Sequence, residues 1–168
     1  MNYHKIEKTS IANGEGIRVV LWVSGCSLHC KGCHNPETWN IYSGKFFDEE
    51  AKKELFEALD KPYIQGITFS GGHPFEPNNR STIYCLIKEI REKFPQKDIW
   101  LYTGYTWEEI FEKRIREIQR TLYWIDVLVD GKYIKEEKDM TLKWRGSRNQ
   151  RVIDVQKTLK ENKIVLYN

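Results

Sequence analysis

The sequence predicts an α/β fold, a mostly parallel sheet with alternating helices, and favours an incomplete (β/α)6 barrel over an open, doubly wound sheet. Three observations carry this. Short β-rich apolar runs alternate with stretches of helical periodicity. Four of those runs end in unusual loops: a cysteine loop beginning at Cys26, then Ser70-Gly71-Gly72, Thr103-Gly104 and Asp130-Gly131. No internal repeat or low-complexity tract interrupts the alternation. In either architecture the loops at the carboxyl ends of parallel strands converge, so chemistry belongs there.

Residues 17–23 (IRVVLWV) form a nearly continuous apolar run, the mark of a strand buried on both faces. Asp48 can cap a helix over 48–59, with Ala51, Leu55 and Ala58/Leu59 on one face and Glu49 and Glu50 at its positive end. Residues 66–69 (GITF) read as a second strand, stopped by Gly71-Gly72. Over 81–94, Ile83, Leu86/Ile87, Ile90 and Phe94 recur at helical spacing. Residues 98–102 (DIWLY) give a third strand. Thr106 and Glu109 stand three apart as a capping box, opening a helix that runs to about residue 120. Residues 125–129 are a fourth strand and 151–155 a candidate fifth, while 163–167 can add an edge.

At 168 residues, length favours one domain spanning 1–168 with a real core. No window of about 18 apolar residues exists, so no membrane span is expected. The opening Met1-Asn2-Tyr3-His4-Lys5 lacks the apolar run of a secretory signal, which predicts a cytoplasmic protein. The 27 basic and 24 acidic residues leave a net charge of +3, too balanced for the basic stripe a nucleic-acid binder carries. Of four cysteines, three fall within residues 26–33. In a cytosolic chain such crowding points to metal rather than to disulfides.

Those three form the pattern C-x3-C-x2-C: Cys26, Cys30 and Cys33, with Gly25 and Gly32 easing the bends. Thiolates are soft ligands suited to iron–sulfur clusters and zinc, and short spacings let one loop wrap a compact inorganic core. A cubane cluster usually takes four cysteines, and this loop supplies three. One iron is then left open, as in a reacting rather than a structural centre. Zinc completed by His29, His34 or His73 is an alternative, as is a plain electron-carrier cluster. Zinc ligands more often come as two separated pairs, and no second pair exists here. Cys85 lies inside the helical pattern of 81–94 and reads as a buried small hydrophobe.

Two other motifs need weighing. Asn13-Gly14-Glu15-Gly16 lacks the third glycine of a dinucleotide fingerprint, Val19 standing in its place, and precedes a strand rather than a helix, so it reads as a turn. Arg145, Arg148 and Arg151 form the one concentrated basic patch, suited to a carboxylate, an acidic protein surface or solvent. No aromatic platform for stacking bases accompanies it.

The C-x3-C-x2-C loop resembles that of the radical S-adenosylmethionine superfamily. Within it the chain is most similar to the activators of the anaerobic (class III) ribonucleoside-triphosphate reductase. The stretches that carry the resemblance are Asn13 to Arg18, Gly25 to Asn35, Gly66 to Pro74, Tyr102 to Tyr105, Asp126 to Tyr133 and Trp144 to Arg151. Together they cover most of residues 3–153, and the Trp144–Arg151 run combined with the cysteine loop is the most specific of them. Gly32 stands where many superfamily members have an aromatic residue, which is a feature of these activators. Glu15 replaces a frequent proline. His73 follows the glycine pair where an acidic residue is usual; a neutral imidazole can accept one hydrogen bond, whereas a protonated one repels an ammonium group.

The resemblance implies a [4Fe–4S] cluster on Cys26, Cys30 and Cys33, with S-adenosylmethionine on the open iron. One electron from the cluster splits that cofactor to a 5′-deoxyadenosyl radical, which takes hydrogen from a glycine of the reductase. Gly32 and His34, flanking Cys33, would lie beside the adenine, and Gly71 and Gly72 would let the backbone approach the methionine moiety. Thr103 would bond the ribose or methionine, with a turn role as the alternative. Asp130 and Lys132 either reach the cofactor or are surface groups. No catalytic side chain beyond the cluster ligands is implied. The implied partners are the reductase and a low-potential donor such as a flavodoxin, with no nucleic acid and no membrane.

Overall fold

A computed structural model describes all 168 residues. Seven strands form one sheet: β1 (Asn2–Ser10), β2 (Arg18–Val23), β3 (Lys45–Phe46), β4 (Gly66–Gly71), β5 (Asp98–Tyr102), β6 (Val127–Asp130) and β7 (Arg151–Asp154). Their spatial order is β3-β1-β2-β4-β5-β6-β7. The central β2, β4, β5 and β6 run parallel, while β1, β3 and β7 pair antiparallel at the two sides. The expected α/β fold with a mostly parallel sheet is present; the sheet is not closed, and its parallel centre has four strands where an incomplete (β/α)6 barrel would have six. The reason lies in residues 131–150, which carry no helical periodicity. Without a crossover helix, the chain after β6 returns alongside it as an antiparallel β7. On the other side, a short turn after β1 makes β1 and β2 antiparallel in the same way.

Five α-helices accompany the sheet: α1 (Glu49–Leu59), α2 (Arg80–Lys93), α3 (Trp107–Glu112), α4 (Arg116–Leu122) and α5 (Val155–Glu161). The caps read from sequence are present. The Asp48 carboxylate accepts from Ala51 N at 2.9 Å. Thr106 and Glu109 bond each other's backbone amides as a full capping box. The single helix expected from 106 to 120 is broken in two. Arg114 takes a left-handed φ of 51°, and α4 turns to pack on α2. Helix α5 follows β7 without a loop, Asp154 accepting from Lys157 N at 3.0 Å. No helix is long and apolar enough to cross a membrane.

Strand alternation divides the interior. Val19, Leu21 and Val23 of β2, Ile67 and Phe69 of β4, and Ile99 and Leu101 of β5 join Leu55, Leu59, Ile83, Ile87, Ile90, Ile118 and Leu122 from the helices in one 28-residue core. Side chains of opposite parity face the other way, because successive residues of a strand point to opposite faces. Trp100, Val127, Val129 and Val152 form a second cluster there, flanked by Tyr102, Trp144 and Tyr167. The tail folds back onto β7, with Leu166 bridging Ile153 and Tyr167 N bonding Val152 O at 2.9 Å, so the edge expected at 163–167 exists as an isolated bridge. Tyr167 packs against Trp100 and Trp144, ring centroids 5.1 and 5.9 Å away, and its hydroxyl donates to Glu15.

Candidate active site

The carboxyl ends of β2, β4, β5 and β6 open onto a cleft of about 640 Å³. Its lining includes Cys26, Cys30, Cys33 and His34 beyond β2, Gly71, Gly72 and His73 at the end of β4, Thr103 and Gly104 after β5, and Lys132 after β6. The four unusual loops picked out along the chain are therefore one place in space. Aromatic walls complete it: Trp22, Trp39, Tyr102, Tyr133 and Trp144.

The cysteine loop is held at its base by backbone. Gly25 N donates to Thr38 O at 2.7 Å and Cys26 N to Trp39 O at 3.0 Å, so the 3-10 turn Pro36–Thr38 folds back onto the loop's first residues. Between the last two thiols, Cys33 N donates to Cys30 O at 3.0 Å, a tight turn between two residues that both line the cleft. All three cysteines are half-buried and free of disulfides. Burial pushes the Cys26 thiol up, with the backbone of Leu28 and His29 pulling it back. Asn35 N–H donates to Cys33 Sγ at 3.4 Å. No three His, Cys, Asp or Glu side chains gather around a point that would hold a single metal ion. Three soft, free thiols lining one roomy cleft suit a multi-iron core.

Gly71 and Gly72 explain why this loop sits where it does. Gly71 has φ 103°, and a Cβ there would lie 2.7 Å from both Val23 N and Val23 O. A Cβ on Gly72 would lie 2.5 Å from Gly25 O. Gly72 N and His73 N instead donate to Val23 O and Gly25 O at 2.8 and 2.7 Å. Only residues without side chains let the end of β4 approach the root of the cysteine loop this closely.

His73 is almost fully buried, at 1% exposure. Its Nδ1 lies 3.4 Å from Glu76 Oε1 and its Nε2 2.9 Å from Thr103 Oγ1. With Nδ1 protonated, the ring donates to the carboxylate and accepts from the threonine hydroxyl, so both nitrogens are engaged. Thr103 also accepts from Tyr105 N at 3.1 Å, the turn role offered as the alternative above. Glu76 holds the cysteine loop: its Oε1 accepts from Ser27 N at 2.8 Å and Ser27 Oγ at 2.6 Å. The His73 imidazole, then the Ser27 hydroxyl and amide, hold the Glu76 carboxyl down at about 2 against burial, which pushes it up. Asn79 adds a third tie, its side-chain amide donating to Ser24 O at 2.7 Å and His73 O at 3.1 Å. Sequence reading passed over Glu76 and Asn79. The available signal was two polar residues in a short loop directly after a glycine pair, but such residues more often face solvent.

Other expected residues fall out differently. Gly32 does not line the cleft; its Cα faces the Lys135 side chain, which a Cβ would meet at 3.2 Å. His34 is exposed and stands edge-on to Tyr133, centroids 5.7 Å apart. Asp130 is fully buried and faces Arg151 and the Trp107 amide, whereas Lys132 reaches the cleft. The three arginines are not one patch. Arg145 lines the cleft and bonds Gln150 O at 2.9 Å, Arg148 is exposed, and Arg151 pairs with Asp130 and Glu108. Cys85 lies exposed on α2, so its expected burial is corrected: position 85 falls on the solvent side of a helix whose buried stripe is Ile83, Leu86, Ile87 and Ile90.

Comparison with known proteins bears on this cleft. Residues 12–153 match the family described as "4Fe-4S single cluster domain". The chain is 46% identical over 154 residues to the "Anaerobic ribonucleoside-triphosphate reductase-activating protein" of Enterobacteria phage T4, covering 90% of this chain and 93% of that one. It is 43% identical over 152 residues to the protein of that name from Vibrio cholerae serotype O1, and 42% identical over 152 residues to that of Escherichia coli strain K12. Each of those alignments covers 89% of this chain and 96% of the relative.

Proposed function

The chain belongs to the family of anaerobic ribonucleoside-triphosphate reductase-activating proteins, and from that premise we propose that the cleft at the carboxyl ends of its parallel strands is where the activating radical is made. The chain is an activating enzyme with a [4Fe–4S] cluster and S-adenosylmethionine as cofactors, and its protein substrate is the anaerobic reductase. Cys26, Cys30 and Cys33 would hold the [4Fe–4S] cluster, which would supply the one electron needed for reductive cleavage of S-adenosylmethionine and so for hydrogen abstraction from a glycine of the reductase.

We assign Cys26, Cys30 and Cys33 as the cluster ligands, and Cys33, His34, Gly71, Gly72 and Thr103 as the surface for S-adenosylmethionine. Gly32 acts by shaping the turn between Cys30 and Cys33. The observation that carries the assignment is that the three free thiols share one cleft with the glycine pair and Thr103. The chain's own work there is positioning and exclusion, since the difficult chemistry belongs to the cofactor. Glu76 and Asn79 fix the cysteine loop against the end of β4, so the thiols meet their metal with little reorganisation. The engaged His73 ring keeps its nitrogens away from a neighbouring ammonium, and the backbone carbonyls around Gly71 and Gly72 remain to receive it. Trp22, Tyr102 and Trp144 are among the residues that wall the cleft. We place the whole chain, 1–168, in one radical S-adenosylmethionine domain acting in the cytoplasm, with a low-potential flavodoxin-like protein as electron donor.

The test is anaerobic iron–sulfur reconstitution followed by S-adenosylmethionine and a strong reductant, with 5′-deoxyadenosine read by chromatography. The product appears with the native chain and is lost with Cys30→Ala. Adding an anaerobic reductase should bring up a glycyl-radical signal by electron paramagnetic resonance. A folded, iron- and sulfide-loaded chain that makes no 5′-deoxyadenosine even with the reductase present overturns the reading.

A further inference from the structure

One buried side-chain polar atom in the whole protein lacks a hydrogen-bond partner: the indole Nε1 of Trp39. Trp39 closes the 3-10 turn beyond the cysteine loop, and its carbonyl accepts from Cys26 N. Trp39 is among the residues that line the cleft with Cys26, Cys30 and Cys33. From within the loop, the His29 imidazole tilts over it, with centroids 4.6 Å apart and 34° between the planes. His29 adopts a left-handed φ of 43° to reach that position. The ring is therefore held in place against the loop while its one polar group stays unanswered.

An indole N–H is a donor only, and buried ones ordinarily find an acceptor. Groups left over in an otherwise satisfied interior mark a missing partner. We propose that the Trp39 indole N–H donates a hydrogen bond to a sulfur of the [4Fe–4S] cluster and so sets the cluster's reduction potential. This rests on the cluster assignment made above. Reduction adds one negative charge, spread largely over sulfur, so an N–H donor stabilises the reduced form more than the oxidised form and raises the potential. The Asn35 amide already donates to Cys33 Sγ by backbone, beyond the reach of substitution. Trp39 is the donor that sequence can vary. It is a positioning and tuning residue; the reacting atoms belong to the cofactor.

The experiment compares the full-length native chain with Trp39→Phe after anaerobic reconstitution. Iron and sulfide per chain are measured first, then the midpoint potential by a redox titration followed with electron paramagnetic resonance, without S-adenosylmethionine. The expected result is full cluster content with the potential moved negative. A tenfold loss of electron affinity corresponds to about 59 mV for a one-electron couple. Replacing Trp39 with 3-benzothienylalanine keeps the ring shape and removes only the N–H, and it should give the same shift even if Trp39→Phe fails to assemble. An unchanged potential in that isostere, with native cluster content, overturns the proposal and leaves the cluster assignment standing. A native chain that takes up metal without sulfide overturns both.

Discussion

A single oxygen of Glu76 accepts both the amide and the hydroxyl of Ser27, at 2.8 and 2.6 Å, and so joins the cysteine loop to the loop beyond β4. Hydrogen bonds to a charged, buried acceptor are stronger than neutral ones. Glu76→Gln should therefore lower the stability of the metal-free chain by about 1–3 kcal/mol in urea unfolding. It should also reduce the iron retained per chain after gel filtration. Retention equal to the native chain would mean that the loop is held without this carboxylate.

The same carboxyl makes stability depend on acid. Its folded value, about 2, lies below its ordinary value of 4.5, so the stabilisation is complete above about 4.5 and is lost as the pH falls towards 2. Circular dichroism of the metal-free chain across that window should show a steeper loss of stability for the native chain than for Glu76→Gln. Parallel curves would remove Glu76 from the acid response.

Gly72→Ala places a methyl group 2.5 Å from Gly25 O, where backbone rather than a flexible side chain must move. Overpacking of that kind typically costs about 1–3 kcal/mol. The displaced segment is the root of the cysteine loop, so cluster occupancy should fall further than stability alone explains. Iron and sulfide content, set beside the melting temperature, separates the two effects.

Replacing any one of Cys26, Cys30 or Cys33 with alanine should abolish formation of 5′-deoxyadenosine. Cys85→Ala should leave it intact and shift stability by no more than about 0.5 kcal/mol, as expected for an exposed helical position. Loss of the cluster in folded Cys85→Ala would mean that a fourth thiol takes part.

Tyr167 lies on the cleft side of the sheet beside Trp144, whose carbonyl accepts from Tyr102 Oη at 2.6 Å. Tyr167→Ala should cost about 2–4 kcal/mol through lost aromatic packing, and Tyr167→Phe about 1 kcal/mol through loss of the bond to Glu15. Tryptophan emission should shift to the red in the alanine variant, because Trp100 and Trp144 both lose a covering ring.

The parallel centre of the sheet was legible because β2, β4, β5 and β6 are short apolar runs, each followed by a loop of unusual composition. Strand β1 was not: His4, Lys5, Glu7 and Lys8 make it polar, since it lies near the side of the sheet and most of its residues stay partly or fully exposed. Openness of the sheet could not be read either, because barrel and open sheet share the same strand–helix alternation and differ only in how the last strands return. At the site, the cysteines and glycines announce themselves by spacing. Glu76, Asn79 and Trp39 do not, because their roles depend on contacts with residues 27, 24 and 26 that only the folded chain brings beside them. Cys85 was misread because helical spacing fixes a stripe, and a one-residue step from Leu86 leaves it.

The strict alternation of β2 has a consequence for how this chain can change over evolutionary time. Val19, Leu21 and Val23 answer to the helices, while Trp22, on the opposite face, lines the cleft, so neighbouring codons are under unrelated selection. Drift at the first set is filtered by folding and at Trp22 by chemistry. Two lineages could therefore diverge in cofactor environment while their cores stay superimposable, but a single-residue deletion in this strand would exchange the two sets at once and is a change that neither lineage could inherit.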